Sequence, residues 1–437
     1  MIKIHISSLG CAKNLVDSEV LAGQLHKRKY RMTDQPENAD IVIVNTCGFI
    51  NPAKEESIQA IFEAVELKKT DPHKRVFVAG CLSQRYRSEL KKEIPELDGI
   101  FGTEDYKNIL SALGQNRFDA ENIYRNRILS APSHYAYMKI SEGCNHTCAF
   151  CAIPMIRGKH RSRTIDDILK ESSYLAGKGV KELLLVSQDT SYYGKDIYGR
   201  FTIIQLLEEL AKSELFVWIR PLYWYPTNFP LAYIDLVNKY PAILPYIDMP
   251  IQHASDNVLR QMRRAERRAE LKKLYTKLRR EIPGIALRTT LILGHPGETE
   301  DDFSDLMDFI QEIRFDRIGT FVYSDEEDTC AYDLPKKVEP ETAARRQDEL
   351  MAVQRSISLE RNQSLIGSTQ NVLIDSYQHS DCYYTGRTNR DAPDIDNEVI
   401  IASGEYNPDL IGSFWKIKVT DASEYELYGN FDVLKKK

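Results

Sequence analysis

Nine short apolar runs alternate with helical stretches between residue 3 and about residue 324, and few folds accommodate that alternation. The first three runs are KIHISSLGC, ADIVIVNTC and KRVFVAGC, separated by NLVDSEVLAGQLHKR and EESIQAIFEAVELKK. In both separating stretches apolar residues recur every three or four positions, as on a helix with one buried face. Strand–helix–strand units build parallel sheets, because parallel neighbours need a crossover connection. Parallel strands all end on one edge, which is where open α/β sheets bind ligands. Each of the three runs ends in a cysteine, so Cys11, Cys47 and Cys81 are predicted to converge on that edge.

The other six runs, YAYMKIS, ELLLVSQD, FVWIRPL, YIDMPI, ALRTTLILG and RIGTFVYS, predict a partial (β/α)6 barrel. Among the stretches between them, the basic NVLRQMRRAERRAELKKLYTKLRRE reads as one helix. Barrel chemistry belongs at the C-terminal ends of the strands, and Cys144, Cys148 and Cys151 follow the first strand in SEGCNHTCAFCAIP. A polar helix, ETAARRQDELMAVQRSISLERNQ, then leads to NVLIDS, CYYTGRT, NEVIIAS, WKIKVT and ELYGNF. Five short alternating runs predict a small five-stranded antiparallel β-barrel. The expected units are an N-terminal parallel α/β sheet domain at 1–125, the partial barrel at 130–366 and the small barrel at 367–437.

Six of the eight cysteines thus form two sets of three, the wrong number for disulfides or for a closed zinc site. Zinc sites more often pair two CxxC-type halves, and no second half lies near Cys144. Three thiolates hold an iron–sulfur cube and leave one of its irons open to an outside ligand. An electron carrier would close each cluster with a fourth ligand, and neither set has a fourth cysteine. Cys330 and Cys382 have no partner spacing and read as ordinary thiols. Clustered cysteines act as metal ligands where thiols stay reduced. MIKIHISSLG starts as a strand rather than a leader, and no apolar run approaches the roughly 20 residues that cross a bilayer. A cytoplasmic protein without membrane contact is expected.

GCNHTCAFC resembles the signature of the radical S-adenosylmethionine enzymes. The resemblance implies that the open iron at Cys144, Cys148 and Cys151 binds the amino and carboxylate groups of S-adenosylmethionine. An electron from the cluster then releases a 5′-deoxyadenosyl radical. Phe150 takes the family's aromatic position beside the adenine. Ser187, Gln188 and Asp189 replace the family's glycine-rich motif, which makes Gln188 the candidate partner of the methionyl amine. Gln252 and Gly294, at later strand ends, are further candidate cofactor contacts, and His295 reads as packing.

With both cysteine sets placed, the whole chain resembles the methylthiotransferase family: a three-cysteine domain, a radical core and a C-terminal TRAM domain. SSLGCAKNLVDSEVLAGQL, VNTCGFINPAKEES and AGCLSQRY are similar to its RimO branch, and Gly48 stands where the tRNA-modifying branch more often has serine. The resemblance implies two 4Fe-4S clusters and a methylthio group placed on the β-carbon of an aspartate of the twelfth small-subunit ribosomal protein. One S-adenosylmethionine would methylate sulfur at the Cys11/Cys47/Cys81 cluster, and a second would supply the radical. An electron donor such as flavodoxin or ferredoxin is implied, and contact with ribosomal RNA is a further expectation. The alternatives are a tRNA adenosine methylthiotransferase and, more distantly, a non-catalytic iron–sulfur or RNA-binding protein.

Charge bears on protein against RNA. The formal net charge is only -6, but residues 371–437 carry twelve Asp/Glu against seven Lys/Arg, three of the latter being Lys435, Lys436 and Lys437. An RNA-binding barrel needs a positive groove, whereas an acidic one complements a basic ribosomal protein. Asp391, Asp394, Asp396 and Glu398 in TNRDAPDIDNEV are therefore expected to dock the substrate protein. Against this, residues 256–281 carry ten Lys/Arg and four Asp/Glu, including Arg263, Arg264, Arg267 and Arg268. Such a run reads as the solvated outer face of a barrel helix.

Overall fold

In the computed structural model, which describes residues 1–25, 29–130, 132–403 and 405–432, the nine runs are strands of parallel sheets. Residues 26–28, the end of the first helical stretch, and Lys435, Lys436 and Lys437 lie outside the described residues. The N-terminal sheet comprises β1 (Ile2–Ser8), β2 (Tyr30–Met32), β3 (Ile41–Thr46), β4 (Arg75–Gly80) and β5 (Gly99–Ile100), in the order β2-β1-β3-β4-β5. Every neighbouring pair is parallel. The strands β2 and β5, of three and two residues, are too short to show a sequence period. Helix α1 (Ala12–Gln24) follows β1, α2 (Asn51–Thr70) follows β3, and α3 (Cys81–Arg85) follows β4. Because β3 is buried on both faces, its sequence is a continuous apolar run rather than an alternating one.

In the central unit, β6 (Tyr135–Lys139) is followed by a small hairpin of β7 (Ser141–Glu142) and β8 (Arg161–Ser162) that frames the second cysteine loop. Then come β9 (Glu182–Val186), β10 (Trp218–Pro221), β11 (Tyr246–Asp248), β12 (Ala286–Leu293) and β13 (Arg317–Val322). Hydrogen bonding groups them as β6-β9-β10 and β11-β12-β13, with a lone parallel bridge between Ile219 and Ile243 at the seam. The basic stretch expected as one helix is two, Asp256–Gln261 and Arg268–Glu281. Between them Arg263 adopts a left-handed φ of 56° and the chain turns Arg264 inward, to 4% exposure. The charges of the second helix are largely answered within the chain, as in Arg268–Asp305 and Arg279–Asp316 at 2.8 Å each.

The helix Pro340–Gln363 carries the chain to a closed barrel of β14 (Thr369–Gln378), β15 (Tyr383–Thr388), β16 (Glu398–Ala402), β17 (Phe414–Ala422) and β18 (Glu426–Phe431). Its pairs are antiparallel except β16–β18, which is parallel. The barrel docks on the opposite end of the core from the cysteines, against the first residues of successive strands. Glu182 binds Arg387 at 2.6 Å, Trp218 meets Phe414 edge-on, and Arg317 binds Asp391 at 2.6 Å.

That docking corrects the expectation for the acidic loop. Asp391 is 1% exposed, and the Asp396 carboxylate accepts from Tyr246 Oη at 2.6 Å and faces Arg288 at 3.3 Å. Both charges hold the barrel to the core and are not offered to a partner. Asp394 and Glu398 are exposed. Among the described residues no helix is long and apolar enough to cross a membrane.

Candidate active site at the meeting of two cysteine loops

Parallel strand ends deliver the first cysteine set. Cys11 caps the N-terminus of α1, Cys47 follows β3 directly, and Cys81 opens α3. Their backbones are in close contact. A Cβ on Gly10 would lie 2.8 Å from Cys47 Sγ, and one on Gly48 would lie 2.7 Å from the Leu82 Cα next to Cys81. The RimO-like glycine at 48 thus has a local cause, since a side chain there would push the Cys47 and Cys81 turns apart.

The second set sits on the loop framed by β7 and β8. Cys144 N donates to Gly158 O at 3.1 Å and Cys151 N to Cys148 O at 3.2 Å, which turns the loop back on itself. Tyr225 Oη lies 4.0 Å from Cys148 Sγ. His146 stacks on Tyr225 with ring centroids 3.7 Å apart and binds Asp189 at 2.7 Å. The Arg264 guanidinium lies 4.3 Å from the Tyr225 ring centre and forms an ion pair with Glu266. Neither cysteine set is among the groups, within the described residues, whose ligand atoms gather inside 4.8 Å. A single tetrahedral zinc with sulfurs at about 2.3 Å would require such gathering, whereas a larger cluster would not.

A buried polar layer joins the two sets. Lys139 Nζ is held by Asp17 at 2.6 Å, Glu142 at 2.7 Å and Glu104 at 3.0 Å, so an ammonium fills the one compact carboxylate group of the chain's described residues. Arg157 binds Glu142 at 2.8 Å and Asn14 Oδ1 at 2.6 Å. From the end of β9, Ser187 O accepts from Lys13 at 3.1 Å, Gln188 Nε2 donates to Glu142 at 2.7 Å, and Asp189 holds His146. Lys13, Asp17, Glu142, His146, Arg157 and Arg264 are functional candidates that spacing alone does not single out. Lys13 lay in the GCAKN segment beside Cys11, but a lysine there looks like any helix-surface residue until the partner unit is in place.

The electrostatics differ between thiols. Burial pushes the Cys11 thiol up, but the charges of Lys13 and Arg157 outweigh it and hold it below its usual value. Burial dominates at Cys81, pushed up to about 12, at Cys144, up to about 11, and at Cys47 and Cys151, also raised. Since the thiolate is the metal ligand, loading these sites releases protons. Glu142 is held well below the carboxylate range: burial opposes its charge, and Lys139 and Arg157 prevail.

Of the sequence candidates for S-adenosylmethionine, Gln188 fits best, since its Oε1 is buried without a partner beside the cysteine loop. Phe150 is half-buried on that loop. Gln252 adopts a φ of 70°, an outlier for a non-glycine residue at a strand end. Gly294, at φ 78°, has another reason to lack a side chain: its Cβ would lie 2.5 Å from Ala343 Cβ in the helix leading out of the core. His295 is fully buried against Tyr323, in keeping with packing.

Three family models match: the uncharacterized protein family UPF0004 over residues 3–102, the radical SAM superfamily over 138–310 and the TRAM domain over 366–431. The chain is 47% identical over 441 residues to "Ribosomal protein uS12 methylthiotransferase RimO" of Clostridioides difficile, covering 98% of this chain and 99% of that protein. The same-named protein of Aquifex aeolicus is 47% identical over 429 residues, covering 98% and 96%. Among solved structures, the radical S-adenosylmethionine methyltransferase TsrM of Kitasatospora setae aligns over 76% of each chain with a TM-score of 0.55. At 14% identity, that likeness is one of fold.

Proposed function

The chain belongs to the RimO family of radical S-adenosylmethionine methylthiotransferases, and on that premise we propose that it places a methylthio group on the β-carbon of an aspartate of ribosomal protein uS12. In this reading Cys144, Cys148 and Cys151 hold one 4Fe-4S cluster and Cys11, Cys47 and Cys81 the other. The observation that carries it is the meeting of two cysteine triads from different units across one buried polar layer, with Lys13 of one unit bound to Ser187 of the other.

The target carbon–hydrogen bond is beyond the reach of a side-chain base, so the protein's task is to bind, orient and exclude water. When bound, the cofactors supply the hydrogen-abstracting radical and the methylthio sulfur. Gln188, whose Oε1 is buried without a partner, would accept from the methionyl amine, and Phe150 would hold the adenine. Gln252, at its strand end, would be a further cofactor contact, whereas Gly294 is accounted for by its packing against Ala343. The stack of His146 on Tyr225, backed by Arg264, holds the Cys144 loop in shape. The charges of Lys13 and Arg157 favour the Cys11 thiolate, the form that ligates metal. The layer of Lys139, Asp17 and Glu142 keeps the two triads in a fixed relation, because burying these charges is tolerable only while each is paired.

The reaction also requires a one-electron donor, for which flavodoxin or ferredoxin chemistry is suited, in a cytoplasmic setting. Exposed Arg260, Arg263 and Lys273 are the residues of the basic stretch available to meet ribosomal RNA. A uS12 peptide deuterated at the aspartate β-carbon tests the chemistry. Deuterium is expected in the 5′-deoxyadenosine produced, and product methylthiolated without that transfer would refute it.

A further inference from the structure

We propose that Lys13 is the residue that recognises the carboxylate of the substrate aspartate, an inference that rests on the function proposed above. Three lysines are buried among the described residues, and two have every donor taken. Lys74 gives its three hydrogens to the carbonyls of Pro36, Glu37 and Ala39, and Lys139 gives its three to Asp17, Glu104 and Glu142. Lys13 is 7% exposed and makes one hydrogen bond, to Ser187 O. No carboxylate lies within 4.0 Å of it among the described residues. An ammonium carries three donors; burial penalises this one, the nearby Cys11 and Glu142 charges offset only part of that cost, and two of its donors are left for a further acceptor.

The placement names the anion. Lys13 is two residues from Cys11 in the unit that carries one cysteine set, and its Nζ is bonded to the strand end of the other unit, next to Gln188. A carbon that takes a hydrogen-abstracting radical from one side and sulfur from the other must lie between those two places. In aspartate the carbon to be modified is bonded directly to the carboxylate carbon, so a cation at this point fixes the reacting atom itself. The other face of the ammonium lies 4.0 Å from the Tyr223 ring centre, where cation–π attraction steadies it without consuming a donor. Tyr223 stands at a φ of 60°, its amide held by Asp248 Oδ2 at 3.2 Å. A bulky residue kept in that conformation is strain of the kind found at functional sites.

The test compares two uS12 peptides, one with the target aspartate and one with asparagine in its place, binding to cluster-loaded enzyme without reductant. Wild type is expected to prefer the aspartate peptide by about tenfold to hundredfold, the worth of one charged hydrogen-bonding pair. Lys13→Met is expected to bring the ratio close to one, and Lys13→Arg to restore part of it. Iron content and the Kd for S-adenosylmethionine are measured on the same samples. An unchanged ratio in Lys13→Met overturns the proposal. So does an unchanged ratio with weakened S-adenosylmethionine binding, which would assign Lys13 to the methionyl carboxylate instead. The wild-type comparison needs no variant to fold, and equal affinity for the two peptides there also overturns it. Failure of the wild-type enzyme to methylthiolate the aspartate peptide under reducing conditions would instead remove the proposed function on which the inference stands.

Discussion

Arg157 Nη2 donates to Asn14 Oδ1 at 2.6 Å across 143 residues of sequence, and the same oxygen lies 3.7 Å from Cys81 Sγ. One guanidinium from the Cys144 loop therefore reaches, through one amide, a thiol of the other set. Arginine suits the position because its rigid fork also serves Glu142 and Asp17.

Replacing Arg157 by alanine leaves those carboxylates buried and short of a partner, a change that costs about 3–5 kcal/mol. The melting midpoint of the cluster-free protein is expected to fall and Cys11 to lose the charge that favours its thiolate. Thermal unfolding and alkylation rates at Cys11 check both effects. An unchanged midpoint would show that the polar layer does not secure the two units.

Alanine at Cys144, Cys148 or Cys151 is expected to abolish cleavage of S-adenosylmethionine, because three thiolates are needed to hold the cofactor-binding cluster. A triple alanine variant at Cys11, Cys47 and Cys81 should keep about four irons per chain and form 5′-deoxyadenosine without methylthiolated product. Iron analysis and mass spectrometry distinguish the two outcomes. Methylthiolated product from the triple variant would move the sulfur-donating site elsewhere.

The acidic loop gives a prediction that the structure reverses. Asp391→Lys sets two buried cations face to face at the Arg317 pair, and a loss of about 3–5 kcal/mol is expected from breaking it. Glu398→Lys, at an exposed position, should change stability by at most about 0.5 kcal/mol, and Asp394→Lys, which gives up the hydrogen bond from Tyr137 Oη at 3.3 Å, by about 1 kcal/mol. Urea unfolding of the three variants checks the contrast. Equal stability of Asp391→Lys and wild type would restore the loop as a free surface.

The architecture was legible because period and punctuation agree: nine apolar runs, the first three ending in cysteine, are nine of the eleven parallel strands of the two units, and the other two, β2 and β5, are too short to show a period. What did not show was how the units face one another. Asp391 and Arg317 are 74 residues apart, so a conspicuous acidic loop looked solvated when it was an internal clasp. Arg264 disappeared into a basic run, because charge counts do not record the left-handed turn at Arg263 that sends its neighbour inward. Lys13 was hidden for the same reason, since its neighbours Ser187 and Tyr223 come from the other unit.

Two buried histidines set a pH dependence. Burial pushes His253 down to about 3 and His295 down to about 4, from an ordinary value near 6.5. Below 6.5 the unfolded chain takes up protons that the native state refuses, so stability is full above 6.5 and is lost as pH falls toward 4. Each group contributes a slope of about 1.4 kcal/mol per pH unit in that window. His295→Phe, which also removes an unpaired Nε2, is expected to flatten the acid limb by one proton. Chemical denaturation of the cluster-free protein at pH 5 and 7 measures this, and identical slopes for variant and wild type would contradict it.

Substrate choice is the most direct test of the whole account. Cluster-loaded enzyme, S-adenosylmethionine and a reductant are incubated with uS12 and bulk tRNA in one vessel, and both are digested and read by mass spectrometry. The expected result is a methylthio group on a single aspartate of uS12 with the tRNA nucleosides unchanged. Methylthiolated adenosine in the tRNA, with uS12 unmodified, would contradict it.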